Sequence, residues 1–475
     1  MRWQQIVLFV LVIAAFLPES SKGLQAEERP NILFVLFDDL GYGQPPSYRG
    51  ESQFQLPNLD RLVAEGIRFT DAHSASAVCT PTRYGVLTGR YPWRIGQFGV
   101  CTTYSPPIIP TDRLTVAKML QQEGYSTSCI GKWHLGLNWV DGKPGNEKKV
   151  PLGAKFTDGP NALGFDYFYG FTHARNIFTV LEQDRVVQHV EAIDNQPLMI
   201  KKAVEWLEQQ SQSQKPFFMY FPMCPPHTPV VPPESFQGKS GAKDLVKKDP
   251  KYGDWVYYGD WMLGQLLETL EKNGVRENTL VIATSDNGAE GRPYPPLREA
   301  KRSIYEGGHR VPFVVRWPGK VEPGSINDQT VCLNDLFATA AEIVGADLPD
   351  GSAEDSFSFL PLLQGTVGKS KRTSTVHQSL YGDLAIRRGK WKLIFHADKT
   401  RVLFNLRRDL SETQDLFDEQ QQQIAEMETE MNDLINSGRS RPGSAQKNEF
   451  QFNLEQGVRA GIHQQRNNKK QKKKS

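Results

Sequence analysis

Asn31-Ile32-Leu33-Phe34-Val35-Leu36-Phe37 is an unbroken apolar run that ends in Asp38-Asp39 and then Leu40-Gly41. A run this short, without polar alternation, is the pattern of a strand covered on both faces, as in a parallel sheet. Further along, Ser126 to Ile130, Phe217 to Phe221 and Thr279 to Thr284 read as strands of the same kind. A further short strand is expected over Val311 to Arg316. Between them, Asn58 to Glu65, Leu114 to Glu123, Met199 to Gln210, Trp255 to Asn273 and Leu333 to Val344 have helical spacing. Strands alternating with helices predict an α/β fold, with a mostly parallel central sheet flanked by helices.

The texture changes near residue 346. Ala385 to Arg388, Trp391 to Phe395 and Arg401 to Phe404 resemble short antiparallel strands, and Glu419 to Ile435 is helical in pattern. A smaller C-terminal α+β domain containing an antiparallel sheet is expected. The predicted divisions are a signal peptide over 1–23, a catalytic domain over 29–345, a small domain over 346–436 and a disordered basic tail over 437–475. The signal reading rests on Arg2, the apolar stretch from Ile6 to Leu17 and Ser21-Lys22-Gly23. That stretch is shorter than the ~20 residues a membrane helix requires. An exported protein follows, periplasmic or secreted, or lysosomal or extracellular in a eukaryote. The alternative is an uncleaved anchor.

Bulk composition is that of a soluble globular chain: 475 residues, 39% hydrophobic, 23% charged and a net charge of +2. Such a balance points to no nucleic-acid or membrane partner. The five cysteines are few for an exported chain, and their odd number leaves at least one outside any internal disulfide. Cys129, Cys224 and Cys332 sit in or beside apolar runs and read as buried thiols.

Cys79-Thr80-Pro81-Thr82-Arg83 is different. If Cys79 opens a helix, Arg83 lies on the same face one turn later, and a helix N-terminus with a guanidinium suits an anionic ester. Asp38-Asp39 and Asp286-Asn287 each follow a predicted strand, where sheets of this class place their sites. Three carboxylates and an amide oxygen form a hard donor set, which suits calcium or magnesium better than zinc. Lys132 and His134 follow a third strand and His227 a fourth, while Lys301 precedes Tyr305-Glu306-Gly307-Gly308.

Taken together, these segments resemble the formylglycine-dependent sulfatase family, of the arylsulfatase and N-acetylgalactosamine-6-sulfatase kind, with its alkaline phosphatase-like fold. The resemblance runs from Pro30 to about Leu416. It rests on Asp38-Asp39-Leu40-Gly41-Tyr42-Gly43, the Cys79 motif, Gly131-Lys132-Trp133-His134-Leu135-Gly136, Pro226-His227-Thr228-Pro229, Ser285-Asp286-Asn287-Gly288 and Tyr305-Glu306-Gly307-Gly308. It implies a sulfuric ester hydrolase in which a separate enzyme, a formylglycine-generating or anaerobic sulfatase-maturating enzyme, oxidises Cys79 to formylglycine (3-oxoalanine). It further implies one Ca2+ held by Asp38, Asp39, Asp286, Asn287 and the modified Cys79. Arg83 would steady the nucleophile, Lys132 and Lys301 would bind sulfate oxygens, His227 would assist the leaving oxygen, and His134 would take the proton from the second hydroxyl. Gln44, Arg298-Glu299-Ala300 and His309 depart from the family pattern, which bears on substrate choice rather than on the reaction.

Two other readings stand beside this one: a phosphodiesterase or phosphonate monoester hydrolase of the same superfamily, and a non-catalytic sulfoglycan-binding homologue. The expected substrate is a sulfated glycan, with aryl sulfates possible. Specificity is expected from the loops after His134, around Thr172 to Asn176 and after Asn287, and from the second domain. Trp139, Tyr167, Phe168, Tyr294 and His309 are candidates to line the cleft.

Overall fold

A computed structural model describes residues 29–49, 54–242, 250–365 and 370–454. The expected signal peptide, 1–23, and the last part of the tail, 455–475, lie outside the described residues. Ten strands form the main sheet: β1 (Asn31–Asp38), β2 (Ile67–Phe69), β3 (Ser126–Lys132), β4 (Tyr167–Phe171), β5 (Thr179–Glu182), β6 (Arg185–His189), β7 (Phe217–Pro226), β8 (Thr279–Ser285), β9 (Phe313–Arg316) and β10 (Ser325–Asn327). Their order is β10-β2-β9-β8-β1-β7-β3-β4-β5-β6. The central five, β8-β1-β7-β3-β4, run parallel, while β9, β5 and β6 are antiparallel to their neighbours on the way to the edges.

β1 is buried along its whole length, as its unbroken apolar run requires. Ile32, Phe34 and Leu36 point to one side, against α2 (Cys79–Thr88), α3 (Val116–Gln122) and α6 (Leu336–Val344). Leu33, Val35 and Phe37 point to the other, against α1 (Pro57–Glu65), α4 (Ala192–Ser211) and α5 (Pro250–Lys272). The result is a sheet between two helical layers.

Three features differ from the sequence reading. Strands β2, β4, β5, β6 and β10 have no counterpart in the sequence reading. α4 begins at Ala192 rather than Met199. Its first turns carry no apolar stripe; Asn195 and Gln196 are buried there through hydrogen bonds to the Ile177 carbonyl and from the Cys224 amide. The segment after Ser437 is also not all free tail. Phe450, Phe452 and Leu454 are buried, and Arg90 and Arg94 bind Glu449 and Asn448. Their every-second-residue spacing is an apolar pattern that a polar composition conceals.

The C-terminal part forms an antiparallel sheet of β11 (Thr375–Gln378), β12 (Leu384–Arg388), β13 (Trp391–Phe395) and β14 (Arg401–Asn405), covered by α7 (Gln421–Ser437). Ile424, Met427 and Met431 of α7 share one core with Ile386 and Leu393 and with Tyr91, Trp93 and Phe98 of the first part. Beside this core, the fully buried Lys392 ammonium lies 3.0 Å from Glu306, 2.8 Å from Glu412 and 3.0 Å from His309 Nε2. Burial raises the Glu306 carboxyl, but Lys392, His73 and His309 more than offset this and hold it well below the usual carboxylate range. Lys392→Met should therefore leave two buried carboxylates without their main cation and destabilise the fold by about 3–5 kcal/mol. Urea unfolding, monitored by tryptophan fluorescence, checks this.

Candidate active site

Strand register brings the first two acidic pairs together. Phe37 of β1 is level with Ser285 of β8, so Asp38-Asp39 and Asp286-Asn287 leave adjacent parallel strands at the same height. In a continuing strand, successive side chains would face opposite ways. Asp39 instead adopts a left-handed backbone (φ 73°), and its amide donates to Asp286 Oδ1 at 3.1 Å. The turn keeps both carboxylates in one place. Gly288 fits because the next loop crosses it: its amide donates to the Gly308 carbonyl, and a Cβ there would come within 1.9 Å of the Gly307 oxygen.

Cys79 opens α2, a helix buried at every residue, as its motif predicts. Its sulfur and carboxylate oxygens of Asp38 and Asp286 lie within 4.8 Å of one another. One turn on, the fully buried Arg83 donates from Nε (3.2 Å) and Nη2 (2.7 Å) to Asp286 Oδ2, and from Nη1 to the Lys132 carbonyl. Lys132 Nζ donates to Asp38 Oδ2 at 2.5 Å, and Lys301 Nζ binds Asp39 Oδ1. Asn287 Nδ2 donates to Asp39 Oδ1 at 2.7 Å. His227 Nε2 stands 3.8 Å from Asp39 Oδ2. All ten side chains singled out in the sequence thus converge on one cleft of about 460 Å³ and the floor beneath it.

Charges on this floor are balanced, with Asp38, Asp39 and Asp286 against Arg83, Lys132 and Lys301. Burial raises the Asp38 carboxyl, but Lys132, His227, Arg83 and Lys301 hold it well below the usual range. Burial and the nearby Asp38 push Asp286 up to about 7, against the pull of Arg83 and Lys132. Burial raises the Cys79 thiol despite Lys132 and Lys301, so it is held neutral, a poor nucleophile.

Four buried polar atoms here have no hydrogen-bond partner: Asp38 Oδ1, Asp39 Oδ2, Asn287 Oδ1 and His134 Nδ1. Unpaired buried oxygens are costly. Three of them beside Asp286 form an oxygen donor set that fits one hard divalent cation. The fourth atom is a base. His134 Nε2 lies 2.9 Å from the Cys101 carbonyl, which can only accept, so Nε2 carries the proton and Nδ1 the free lone pair. Burial, with Lys132 and His173 nearby, keeps this imidazole neutral. His227 is fixed in the opposite sense, its Nδ1 donating to the Thr228 carbonyl, so Nε2 faces the carboxylates.

Residues outside the sequence motifs complete the site. Thr80 donates to the His134 carbonyl and accepts from the Cys101 amide, tying the helix start to both loops. His173 stacks on His134, with ring centroids 5.7 Å apart. Arg175, Glu290, Arg302 and Tyr381 stand around the opening. None has a local sequence signature. The aromatic candidates fall elsewhere. Trp139, Phe168 and Tyr294 are buried in packing, and Tyr167 binds Glu182. His309 is buried against His73 and His377 beneath the C-terminal sheet. Large rings in apolar or β-rich contexts were taken up by the core, the commoner fate of such residues.

One sheet between two helical layers, with a buried thiol, a cationic clamp and oxygen donors at its strand ends, forms a cleft whose chemistry suits an anionic ester. The chain belongs to the sulfatase family, which it matches over residues 30–346, and residues 299–439 match the C-terminal domain of N-sulphoglucosamine sulphohydrolase. It is a sulfuric ester hydrolase. An N-acetylgalactosamine-6-O-sulfatase of Bacteroides thetaiotaomicron is 30% identical over 451 residues, covering 80% of this chain and 84% of the relative. Arylsulfatase A of Bos taurus is 35% identical over 423 residues, covering 80% and 78%. A Bacteroides thetaiotaomicron protein solved in connection with metabolism of glycosaminoglycans superposes with a TM-score of 0.78 at 28% identity, covering 86% of this chain and 99% of its own.

Proposed function

We propose that this protein removes sulfate from a sulfated carbohydrate, using formylglycine made from Cys79 and one Ca2+ held by Asp38, Asp39, Asp286, Asn287 and residue 79. The observation that carries this reading is the set of three unpartnered buried oxygens of Asp38, Asp39 and Asn287 beside a buried, neutral Cys79. When present, the cation supplies Lewis acidity that makes a hydroxyl on residue 79 more nucleophilic. The hydrated aldehyde supplies two hydroxyls, one to attack sulfur and one to drive sulfate off afterwards. A separate maturation enzyme performs the oxidation, and an exported protein, periplasmic, secreted or lysosomal, is the matching localisation. Among the described residues, no helix is long and apolar enough to cross a membrane.

The chain's own residues divide the remaining work. Arg83 fixes Asp286 and adds positive charge under the helix start that holds residue 79. Lys132 and Lys301 exchange part of their contact with Asp38 and Asp39 for the sulfate oxygens, and so oppose charge that grows there. His227, whose Nδ1–H is held by the Thr228 carbonyl and whose own carbonyl accepts from Trp255 Nε1, aims Nε2 into the cleft; its imidazolium form, which burial disfavours and Asp38 and Asp39 favour, donates the Nε2 proton to the leaving oxygen. His134 Nδ1 receives the proton from the second hydroxyl. His134→Ala should lower kcat by on the order of 10²–10⁴, the usual worth of a general base. Stopped assays of sulfate release would show it, with KM little changed.

Two measurements test the whole reading. Mass spectrometry of the tryptic peptide covering residues 69–83 from active enzyme should find an aldehyde at residue 79 and no thiol. A sulfate-release screen over defined sulfated sugars and aryl sulfates should give turnover on at least one sugar. Full activity with an unmodified thiol would overturn the mechanism, and phosphonate ester cleavage without sulfate release would favour the related hydrolase reading.

A further inference from the structure

The floor of the cleft is built for an anion, yet its mouth carries a carboxylate. Glu290 Oε2 lies 2.9 Å from Arg302 Nη2 and 3.9 Å from Lys301 Nζ, the ammonium assigned above to the sulfate. A carboxylate so placed weakens the attraction for any anion, so sulfate binding does not account for it. Glu290 and Arg302 are 35% and 42% exposed, open to the cleft rather than sealed in the core. Together they present an acceptor and a planar donor fork side by side, which complements neighbouring hydroxyls rather than charge.

The backbone holds the pair there deliberately. Arg302 has a left-handed backbone, φ 79°, a conformation that non-glycine residues keep only when their surroundings impose it. Its amide donates to the Ala77 carbonyl, two residues before Cys79, and its carbonyl accepts from the Leu380 amide of the C-terminal part. Lys301 therefore faces inward and Arg302 lies at the rim. The next residue after that anchor, Tyr381, is 57% exposed and lines the same opening, as does Val100 at 49%. Among the seven exposed large apolar side chains of the described residues, Tyr381 is the only aromatic. An exposed ring beside an acceptor–donor pair matches a sugar, which has an apolar face and a hydroxyl edge.

We propose that the mouth of the cleft is a sugar-reading subsite. In it the Glu290–Arg302 pair hydrogen-bonds hydroxyls of the ring that carries the scissile sulfate, while Tyr381 and Val100 cover that ring's apolar face. This rests on the carbohydrate reading above and adds the residues that distinguish a glycan from a small aryl sulfate. Lys301 and Arg302 are consecutive, so hydroxyl recognition is coupled rigidly to placement of the sulfate.

The test compares fully matured wild type, Glu290→Gln and Tyr381→Ala on the best sulfated hexose or hexosamine of the screen, on its single-deoxy counterparts, and on 4-nitrophenyl sulfate. The expected result is that kcat/KM for the sugar, divided by that for the aryl sulfate, falls tenfold or more in each variant. One deoxy sugar should also cost the wild type on the order of 10²-fold or more, as for a site built to bond a hydroxyl, and cost Glu290→Gln much less. Equal losses on both substrates, or ratios that do not move while wild type cleaves the sugar, would overturn the subsite and leave the carbohydrate reading intact. Wild type that hydrolyses the aryl sulfate but no sulfated sugar would overturn the carbohydrate reading and the subsite with it. Circular dichroism confirms that both variants fold.

Discussion

Cys79→Ala should abolish turnover, by on the order of 10⁴–10⁶-fold in kcat, the scale seen when a nucleophile is removed from an otherwise intact site. The fold should survive. The residue opens a helix whose ten positions are all buried, so the packing around it holds the helix start in place. Loss of one sulfur there should cost about 1 kcal/mol, typical of a single substitution. Cys79→Ser is the more informative variant. A serine hydroxyl can attack sulfur once: its proton passes to a carboxylate of the floor, its Oγ–S bond forms as the substrate's S–O bond breaks, and the departing oxygen takes a proton from the His227 imidazolium to leave as the alcohol. It has no second hydroxyl with which to expel sulfate. The variant should therefore release alcohol in a stoichiometric burst, then stop, with the added mass of a sulfate on the peptide of residues 69–83. Continuous turnover by the serine variant would show that a second hydroxyl is not needed. Continuous turnover by the alanine variant would remove residue 79 from the chemistry.

Much of this site was legible because strand ends announce themselves. Asp38-Asp39 and Asp286-Asn287 terminate apolar runs that have no other means of ending, and parallel pairing at Phe37 and Ser285 then brings the two pairs to one level. Cys79 and Arg83 were legible because their spacing is one helical turn. Other features carry no such periodic signal. The Cys101 carbonyl sets the tautomer of His134 through a backbone atom, and no side-chain pattern reports that. Glu290 and Arg302 lie twelve residues apart on the long loop after β8, and Tyr381 joins them only after the C-terminal sheet docks onto residues 75–77, through Gln378 donating to Ala75 and Ala77 donating to Gln378. Strand β4 interrupts its aromatics with Gly170, which weakens a strand pattern but fits here because the Gly131 carbonyl passes 2.0 Å from where a Cβ would sit. The aromatic candidates failed for the opposite reason. Their chemistry suited a cleft, but apolar area favoured burial.

Removing divalent cations should cost the enzyme its activity and part of its stability without unfolding it. The basis is the pairing on the floor: Asp38, Asp39 and Asp286 already face Lys132, Lys301 and Arg83, so each keeps a cationic partner in the cation-free site and the fold persists. What the cation-free site lacks are partners for Asp38 Oδ1, Asp39 Oδ2 and Asn287 Oδ1. A cation bound there would satisfy these atoms and add positive charge to the floor, which would favour an anionic ester. A ligand that binds only the folded state stabilises it by about 2.7 kcal/mol at a hundredfold excess over Kd. Dialysis against a chelator should thus lower the thermal midpoint, and calcium should restore both midpoint and activity. Magnesium should do so less well, since it demands near-ideal octahedral geometry and gives up water reluctantly. Asn287→Ala isolates the effect of one ligand, because it deletes an unpartnered oxygen without changing charge. Its calcium affinity, measured by titration calorimetry on the folded protein, should fall by at least the roughly 10–100-fold that loss of a supporting partner costs a metal site. Asp39 also loses a hydrogen bond in that variant, but Lys301 still holds it, so the geometry of the remaining ligands is kept. Unchanged calcium affinity would place the cation away from Asn287 and leave its buried oxygen without a physical reason to be there.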